Sequence, residues 1–411
     1  MYDTLIIGTG LSSIFFLEGY KNKKEKIAVI SYESTSDTNF KKNDQSLKKK
    51  ILANLPPRFN SKNFGAISNF FTKNEITNSE NSSIFGLLQE GGVSNYWGMS
   101  CDFPKDNKLN FLNSKNQDSL IRSFNYIYNT FNLEGSVSNK NIKTNKNKKI
   151  EDYFSKFLEV KENNINFYKN CSAINSSKCL KISNKCWNDC PTKSTLLPKM
   201  ISDFKNVDKF NYFANKISKS GDVYEVNCIN SSNEKKIFRT KKLILACGTI
   251  GTTRLLLDML NYESPIRIFH NPMLFSCILS IKKVQKNLKH WLSQVASESF
   301  DLETGSFAVA NFRTTNEHIK EKIFKDYWFM RLNFFKYIFS FFEKKMVFVN
   351  LYIEGKYSNL NMQKTIDGYK IFSNSKKNEK IKKLLMTHLK KILKTLLKNN
   401  LATRINYTST P

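Results

Sequence analysis

The first twenty residues, MYDTLIIGTGLSSIFFLEGY, restrict the fold more than any other part of the chain. The apolar run Leu5-Ile6-Ile7 ends in Gly8-Thr9-Gly10, and Leu11-Ser12-Ser13 leads into a second apolar segment, Ile14 to Leu17. The pattern is that of a strand, a tight glycine turn and a helix, the unit whose helix N-terminus holds a dinucleotide pyrophosphate. Gly8 permits the turn, and Gly10 has no Cβ to hold a phosphate away from the backbone. Leu11, Ser12 and Ser13 open the helix, where orphan N–H donors and the helix dipole favour an anion. Ser13 stands where the third glycine of the motif is usual and is small enough to let helix and strand pack. A second apolar run, Ile27 to Ile30, follows, with Glu33 just beyond it. A carboxylate at that strand tip accepts hydrogen bonds from adenosine ribose hydroxyls. The plain alternative is a βαβ unit with a glycine turn and no ligand. The order of strand, glycines, helix and acid argues against it.

A chain of 411 residues with 40% hydrophobic content can bury a large core and divides most naturally into two domains. Its net charge of +30 raises the question of nucleic acid, but 57 of the 65 basic residues are Lys. Arg is the side chain suited to bidentate phosphate and base recognition, and the Lys is scattered over every segment. No nucleic-acid partner is therefore expected, while peripheral attraction to an anionic membrane surface stays open. Tyr2 and Asp3 lead directly into the first strand, so no export signal is read. The eight cysteines are then expected to be reduced thiols in a cytoplasmic protein. Trp328 to Ile353 is strongly aromatic but broken by Arg331, Lys336, Glu343, Lys344 and Lys345, which excludes a transmembrane helix. Its aromatic part is read as core rather than lipid contact.

Gln89 to Gly98 carries three glycines with Ser94 and Asn95, an arrangement able to lie flat against a cofactor or cradle phosphate oxygens. Taken alone, it serves equally well as a tight turn. Its core, Gly91-Gly92-Val93-Ser94-Asn95-Tyr96-Trp97-Gly98, resembles the G-G-x-S-x-x-W-G segment of the glucose–methanol–choline flavin oxidoreductases. The bacterial branch associated with sugar or surface-polysaccharide metabolism is the nearest likeness. Thr240 to Arg254, TKKLILACGTIGTTR, resembles that family's strand ending in A-x-G-x-x-x-T-x-R-L-L-L. Phe210 to Ser218 and Val223 to Cys228 resemble its β-meander, whose first strand touches adenine through the backbone around Ile217. The resemblance implies FAD rather than NAD. It places Gly91, Gly92, Ser94, Asn95 and Gly98 along the flavin-side phosphates and ring, and Gly248 at a close backbone approach.

The expected fold class is α/β, a Rossmann-like FAD-binding domain over 1–262 with surface insertions near 34–85 and 105–200. A second, α+β substrate domain built on an antiparallel sheet follows over 263–411. Leu274 to Ile281, Ser306 to Arg313 and Met346 to Ile353 read as its strands. Lys376 to Asn399 reads as an amphipathic helix with Lys on its outer face, a solvated face being the commoner explanation of those charges. Cys171, Cys179, Cys186 and Cys190 include a C-x3-C-P turn but lack the C-x2-C-x2-C run of ferredoxins and any paired C-x2-C with a nearby His, so no metal is assigned.

The family's reaction is oxidation of an alcohol group, with hydride passing to FAD and on to an electron acceptor that the sequence does not identify. A sugar or polyol-like substrate is what the resemblance implies. Relatives carry a catalytic histidine and a final FAD strand shortly beyond a segment like Asn406 to Pro411, where this sequence stops. Of His270, His290, His318 and His388, none stands in that context, so no catalytic residue is assigned. The alternative expectation is an inactive or split-gene flavin-binding module.

Overall fold

The computed structural model describes residues 1–21, 24–33, 70–71, 73–78, 86–92, 100–101, 112–130, 133–137, 141–143, 148, 150–162, 164–172, 201–284, 293–315, 332–373, 375–403 and 406–409. In chain order the elements begin with β1 (Tyr2–Ile7), α1 (Leu11–Tyr20), β2 (Ile27–Ser31), β3 (Ile76–Asn78), α2 (Ser114–Thr130), α3 (Asp152–Ser155) and β4 (Ile165–Lys169). Next come β5 (Val207–Asn211), β6 (Phe213–Ser220), β7 (Val223–Ile229), β8 (Lys235–Leu245), α4 (Gly248–Met259), β9 (Ile266–Ile268) and β10 (Met273–Leu279). The last are β11 (Val295–Asp301), β12 (Ser306–Thr314), α5 (Asn333–Glu343), β13 (Met346–Ile353), β14 (Leu360–Thr365), β15 (Gly368–Ser373), α6 (Ser375–Lys398) and β16 (Asn406–Ser409).

Two compact units share the chain, and neither is one continuous block. The first comprises Met1–Trp97, Leu197–Ile268 and Asn359–Asn374; the second comprises Gly98–Leu196, Phe269–Ser358 and Ser375–Pro411. The division thus departs from consecutive blocks over 1–262 and 263–411. Strands β14 and β15 return to the first unit because β14 pairs with β9 and β15 with β3.

The first unit is built on a six-stranded sheet of order β5-β2-β1-β8-β7-β6. β1 pairs in parallel with β2 and β8, so it is central and covered on both faces, as its unbroken apolar run demands. Its side chains alternate between the two sides of the sheet. Leu5 and Ile7 pack in one core cluster with Ile217, Val226, Phe238 and Leu255, while Ile6 packs in another with Ile14 and Leu17 of α1. The stretch read as one strand from Phe210 is two. β5 runs parallel to β2 and β6 antiparallel to β7, with the break at Tyr212, whose N–H donates to the Ser31 carbonyl at 3.0 Å.

The second unit has an all-antiparallel sheet of order β16-β10-β13-β12-β11-β4. One face is covered by α6, whose Leu385, Leu389, Ile392 and Leu396 pack on Leu274, Ala310, Val349 and Leu351. Edge-to-face rings of Phe154, Phe157, Phe167 and Phe312 extend the same core. Lys148, in a stretch rich in Lys and Asn, is buried, its ammonium donating to the carbonyls of Asn170 (2.6 Å) and Ser293 (2.7 Å) and to the Ser172 hydroxyl (2.6 Å). Cys171 is fully buried. Cys179, Cys186 and Cys190 lie outside the described residues. Among the described residues, no cluster of metal-ligating side chains occurs, and no helix is long and apolar enough to cross a membrane.

Candidate functional site

The first unit contains a cavity of about 430 Å³ at the C-terminal ends of β1, β2 and β8. That size falls within the range of small-molecule and cofactor sites, and the ends of parallel strands are where doubly wound sheets bind ligands. Gly8, Gly10, Leu11 and Ser12 line it, as do Gly91, Gly92 and Gly248. These residues are separated by up to 240 positions in the sequence, and the topology brings them to one wall.

Gly8 and Gly10 have different tasks. Gly8 sits at φ +108°, and a Cβ there would lie 2.3 Å from the Ala246 carbonyl oxygen. Its N–H donates to Ile30 O at 2.8 Å while Ala246 N–H donates to Ile7 O at 2.8 Å, so glycine is required for three chain segments to meet. Gly10 is extended (φ −74°, ψ −176°), and a Cβ built on it meets only Gly91 O at 3.9 Å. The space beside Gly10 belongs to the cavity. Ser13 is fully buried and does not line the cavity; its hydroxyl donates to Gly8 O at 2.7 Å and so binds the helix to the turn.

Two helices begin at this cavity without a side-chain cap. α1 starts behind Gly10, and α4 starts behind Cys247, with Gly248, Thr249 and Ile250 on the wall. The first N–H groups of a helix have no partner within it, and here neither N-cap residue supplies one from its side chain. Gly248 is at φ +77°, and among the described residues nothing beyond its chain neighbours and its own helix backbone lies within 4 Å of the position its Cβ would take. The backbone is thus open for close approach.

Arg254 is the one charged residue among the described cavity-lining residues, and it is 96% buried, since only 4% of it is exposed. It donates to Asn215 O at 2.8 Å and to Ala214 O, which ties α4 to β6, and its guanidinium lies 5.0 Å from the Phe213 ring centre. Its Nε makes no hydrogen bond. Burial lowers its pKa from the ordinary value, while Tyr369 and Asp258 act in the opposite direction. Burial likewise raises the Cys247 thiol, keeping it protonated at neutral pH, and its sulfur lies 3.4 Å from the Thr252 hydroxyl. Two uncapped helix N-termini, a buried guanidinium and no carboxylate on the described wall make a site for an anion.

The remaining sequence-derived residues divide. Glu33 does not line the cavity; its carboxylate is paired with Lys209 at 2.7 Å, and the same ammonium reaches Glu90 at 2.8 Å. Burial opposes the charge on Lys209, but these two carboxylates more than offset it and raise its pKa. Gly91 and Gly92 are both at positive φ (78° and 54°), and Gly91 N–H donates to Thr9 Oγ1 at 3.2 Å. Ile217 is buried in the core and absent from the wall, where Tyr212, Phe213 and Ala214 stand instead. β6 meets the cavity at its first residues, Phe213 and Ala214, which precede Ile217 along the strand. Ser94, Asn95 and Gly98 lie outside the described residues, as do His290 and His318. His270 is exposed and His388 is fully buried, both in the second unit.

Residues that the sequence did not single out complete the wall. Tyr32 and Phe213 meet edge to face with ring centres 6.1 Å apart, and Phe70 also lines the cavity. Gly86 leaves room for the Phe70 ring, which a Cβ would meet at 2.3 Å. None of these four had a signal in the sequence, whereas Arg254 did, from its place in the strand–glycine–helix pattern.

No protein-family model matches the chain, and no curated protein matches it. Among solved structures, pyridoxine 4-oxidase from Mesorbium loti is similar, with a TM-score of 0.50 at 10% identity, over 94% of this chain and 79% of that one. A flavoprotein/dehydrogenase from Cytophaga hutchinsonii aligns with a TM-score of 0.30 at 10% identity, over 86% of this chain and 56% of that one. At such identity, the first likeness speaks to fold alone. The chain has the α/β fold of that oxidase, with a Rossmann-like unit and a second unit on an antiparallel sheet.

Proposed function

We propose that the chain is a FAD-dependent oxidoreductase that oxidises an alcohol group on a sugar or polyol-like substrate. The observation that carries the reading is the anion site at the strand ends. Two uncapped helix N-termini and the buried Arg254 surround a cavity whose described wall has no carboxylate. A dinucleotide needs its pyrophosphate neutralised without side chains in the way, and the open space at Gly10 and Gly248 fits that need. Leu11 and Ser12 would hold the pyrophosphate through backbone N–H groups, and Tyr32 and Phe213 offer apolar ring surface for adenine. Likeness of fold to an oxidase adds weight to redox chemistry over simple nucleotide storage.

Bound flavin supplies a two-electron hydride acceptor for the carbinol carbon. The chain's part is to exclude water, orient the carbinol and receive its hydroxyl proton. Among the described cavity-lining residues there is no histidine or carboxylate to take that proton, and the raised pKa of Cys247 makes it a poor base. This favours, as a second reading, a flavin-binding module without alcohol turnover. The test is the purified protein. Yellow absorbance of bound FAD, bleached anaerobically by a sugar or polyol, is the expected result. Colour that no alcohol in a broad panel bleaches selects the second reading, and protein that neither purifies with flavin nor takes up added FAD overturns both.

A further inference from the structure

α5 faces the wrong way for an ordinary surface helix. An amphipathic helix normally turns its apolar stripe to the core. Here Phe334, Tyr337 and Phe341 follow the i, i+3, i+7 spacing of one helix face and are 68%, 76% and 69% exposed. Phe342 and, just before the helix, Leu332 are exposed as well. Phe339 is the helix's one fully buried apolar residue among those described. Lys336 and Lys344 are exposed and Lys345 is half-buried, while the helix's one acid, Glu343, is half-buried.

We infer that this face of α5 is a docking surface for an anionic lipid bilayer. Several exposed aromatic rings along one helix face are uncommon and mark a contact. Rings of this kind, with lysines beside them, are the composition of a helix lying in the headgroup region. Charge decides between occupants. Each copy of the chain carries +30, so two copies repel, whereas an anionic surface attracts. A nucleic acid would need cations tracking along the ring stripe, and here the stripe positions themselves are apolar.

The experiment is flotation of the purified full chain with two kinds of vesicle, phosphatidylcholine alone and the same lipid with about one third phosphatidylglycerol. The wild type floats with the anionic vesicles and much less with the neutral ones. Tyr337→Ser/Phe341→Ser, on residues too exposed to matter for the core, lowers the partition coefficient by roughly tenfold or more, because each ring no longer leaves water. Lys336→Glu/Lys344→Glu lowers it by about fivefold per lysine and weakens its salt dependence. Unchanged thermal midpoints show that both variants fold. Wild type that stays with the soluble fraction overturns the inference, as does a serine variant that floats like the wild type. A wild-type dimer that the serine variant dissociates, or RNA retention that it loses, with no vesicle binding, would assign the face to a second copy or to nucleic acid instead.

Discussion

Two glycines separated by one residue show how differently the same side chain is used. Gly8 is needed by the protein itself, since any Cβ there meets the Ala246 carbonyl at 2.3 Å and the backbone is at φ +108°. The fold makes no such demand at Gly10, because its backbone is extended and its Cβ direction is open. Gly8→Ala is therefore expected to destabilise the chain by roughly 3 kcal/mol or more, from backbone strain together with overpacking. Gly10→Val should keep the wild-type unfolding midpoint to within about 1 kcal/mol, yet lose more than about nine-tenths of the bound flavin. Thermal denaturation and flavin absorbance of both variants check this pair. If Gly10→Val retains full flavin content, the pyrophosphate is not beside residue 10. Arg254 is a third case, as its two carbonyl bonds to β6 make it structural at the same time as it lines the site.

At the scale of elements, α6 is held by more than its apolar stripe. His388 is fully buried, with Nε2 2.8 Å from the Ser306 hydroxyl on β12 and Nδ1 3.0 Å from that of Ser299 on β11. One turn on, Lys391 pairs with the buried Asp301, which also accepts from Thr304 at 2.5 Å. Burial lowers the His388 pKa from 6.5, and Lys391 acts in the same direction against Asp301 and Glu354. The folded chain thus binds the imidazole proton less readily than the unfolded chain does. Stability from this group is complete above pH 6.5 and is lost as pH falls below it towards the folded pKa. Asp301, held below 3.8 chiefly by Lys391, loses its contribution only in more acidic solution. His388→Leu should cost roughly 1–3 kcal/mol near neutral pH, because serine hydroxyls lose a buried partner. Its stability should then fall less than the wild type's between about pH 7.5 and 5.5. Urea melts at the two pH values decide the matter. An equal fall in both proteins would show that His388 is not the titrating group.

For the molecule as a whole, charge is the dominant long-range term. A net +30 at pH 7 makes the compact state repel itself, and added salt screens that repulsion. The thermal midpoint is expected to rise by roughly 2 °C or more between about 0.01 M and 0.15 M salt. A falling midpoint would mean that ion pairs such as Lys209 with Glu33 and Glu90 contribute more than the repulsion costs. The same excess of lysine gives the outward aromatic face of α5 an anionic rather than a like-charged partner.

What could be read from the sequence was what neighbours in the chain decide. β1, the glycine turn and α1 follow from an apolar run, two glycines and a helical segment within twenty residues. β13 matches the expected strand to the residue, and α6 is offset by one, because their periodicities are long and regular. Only the tertiary structure could decide what depends on distant partners. The pairing of Ile7 with Leu245 makes Gly8 indispensable, and the switch of ladder at Tyr212 places Phe213 rather than Ile217 at the cavity. The lysine at 148 looks like linker until three acceptors from residues 22 to 145 positions away close around it. The rings of α5 look like core until the fold leaves them outside. In each case the local pattern is the same in either outcome, and the free energy that separates the outcomes comes from contacts the local sequence does not contain.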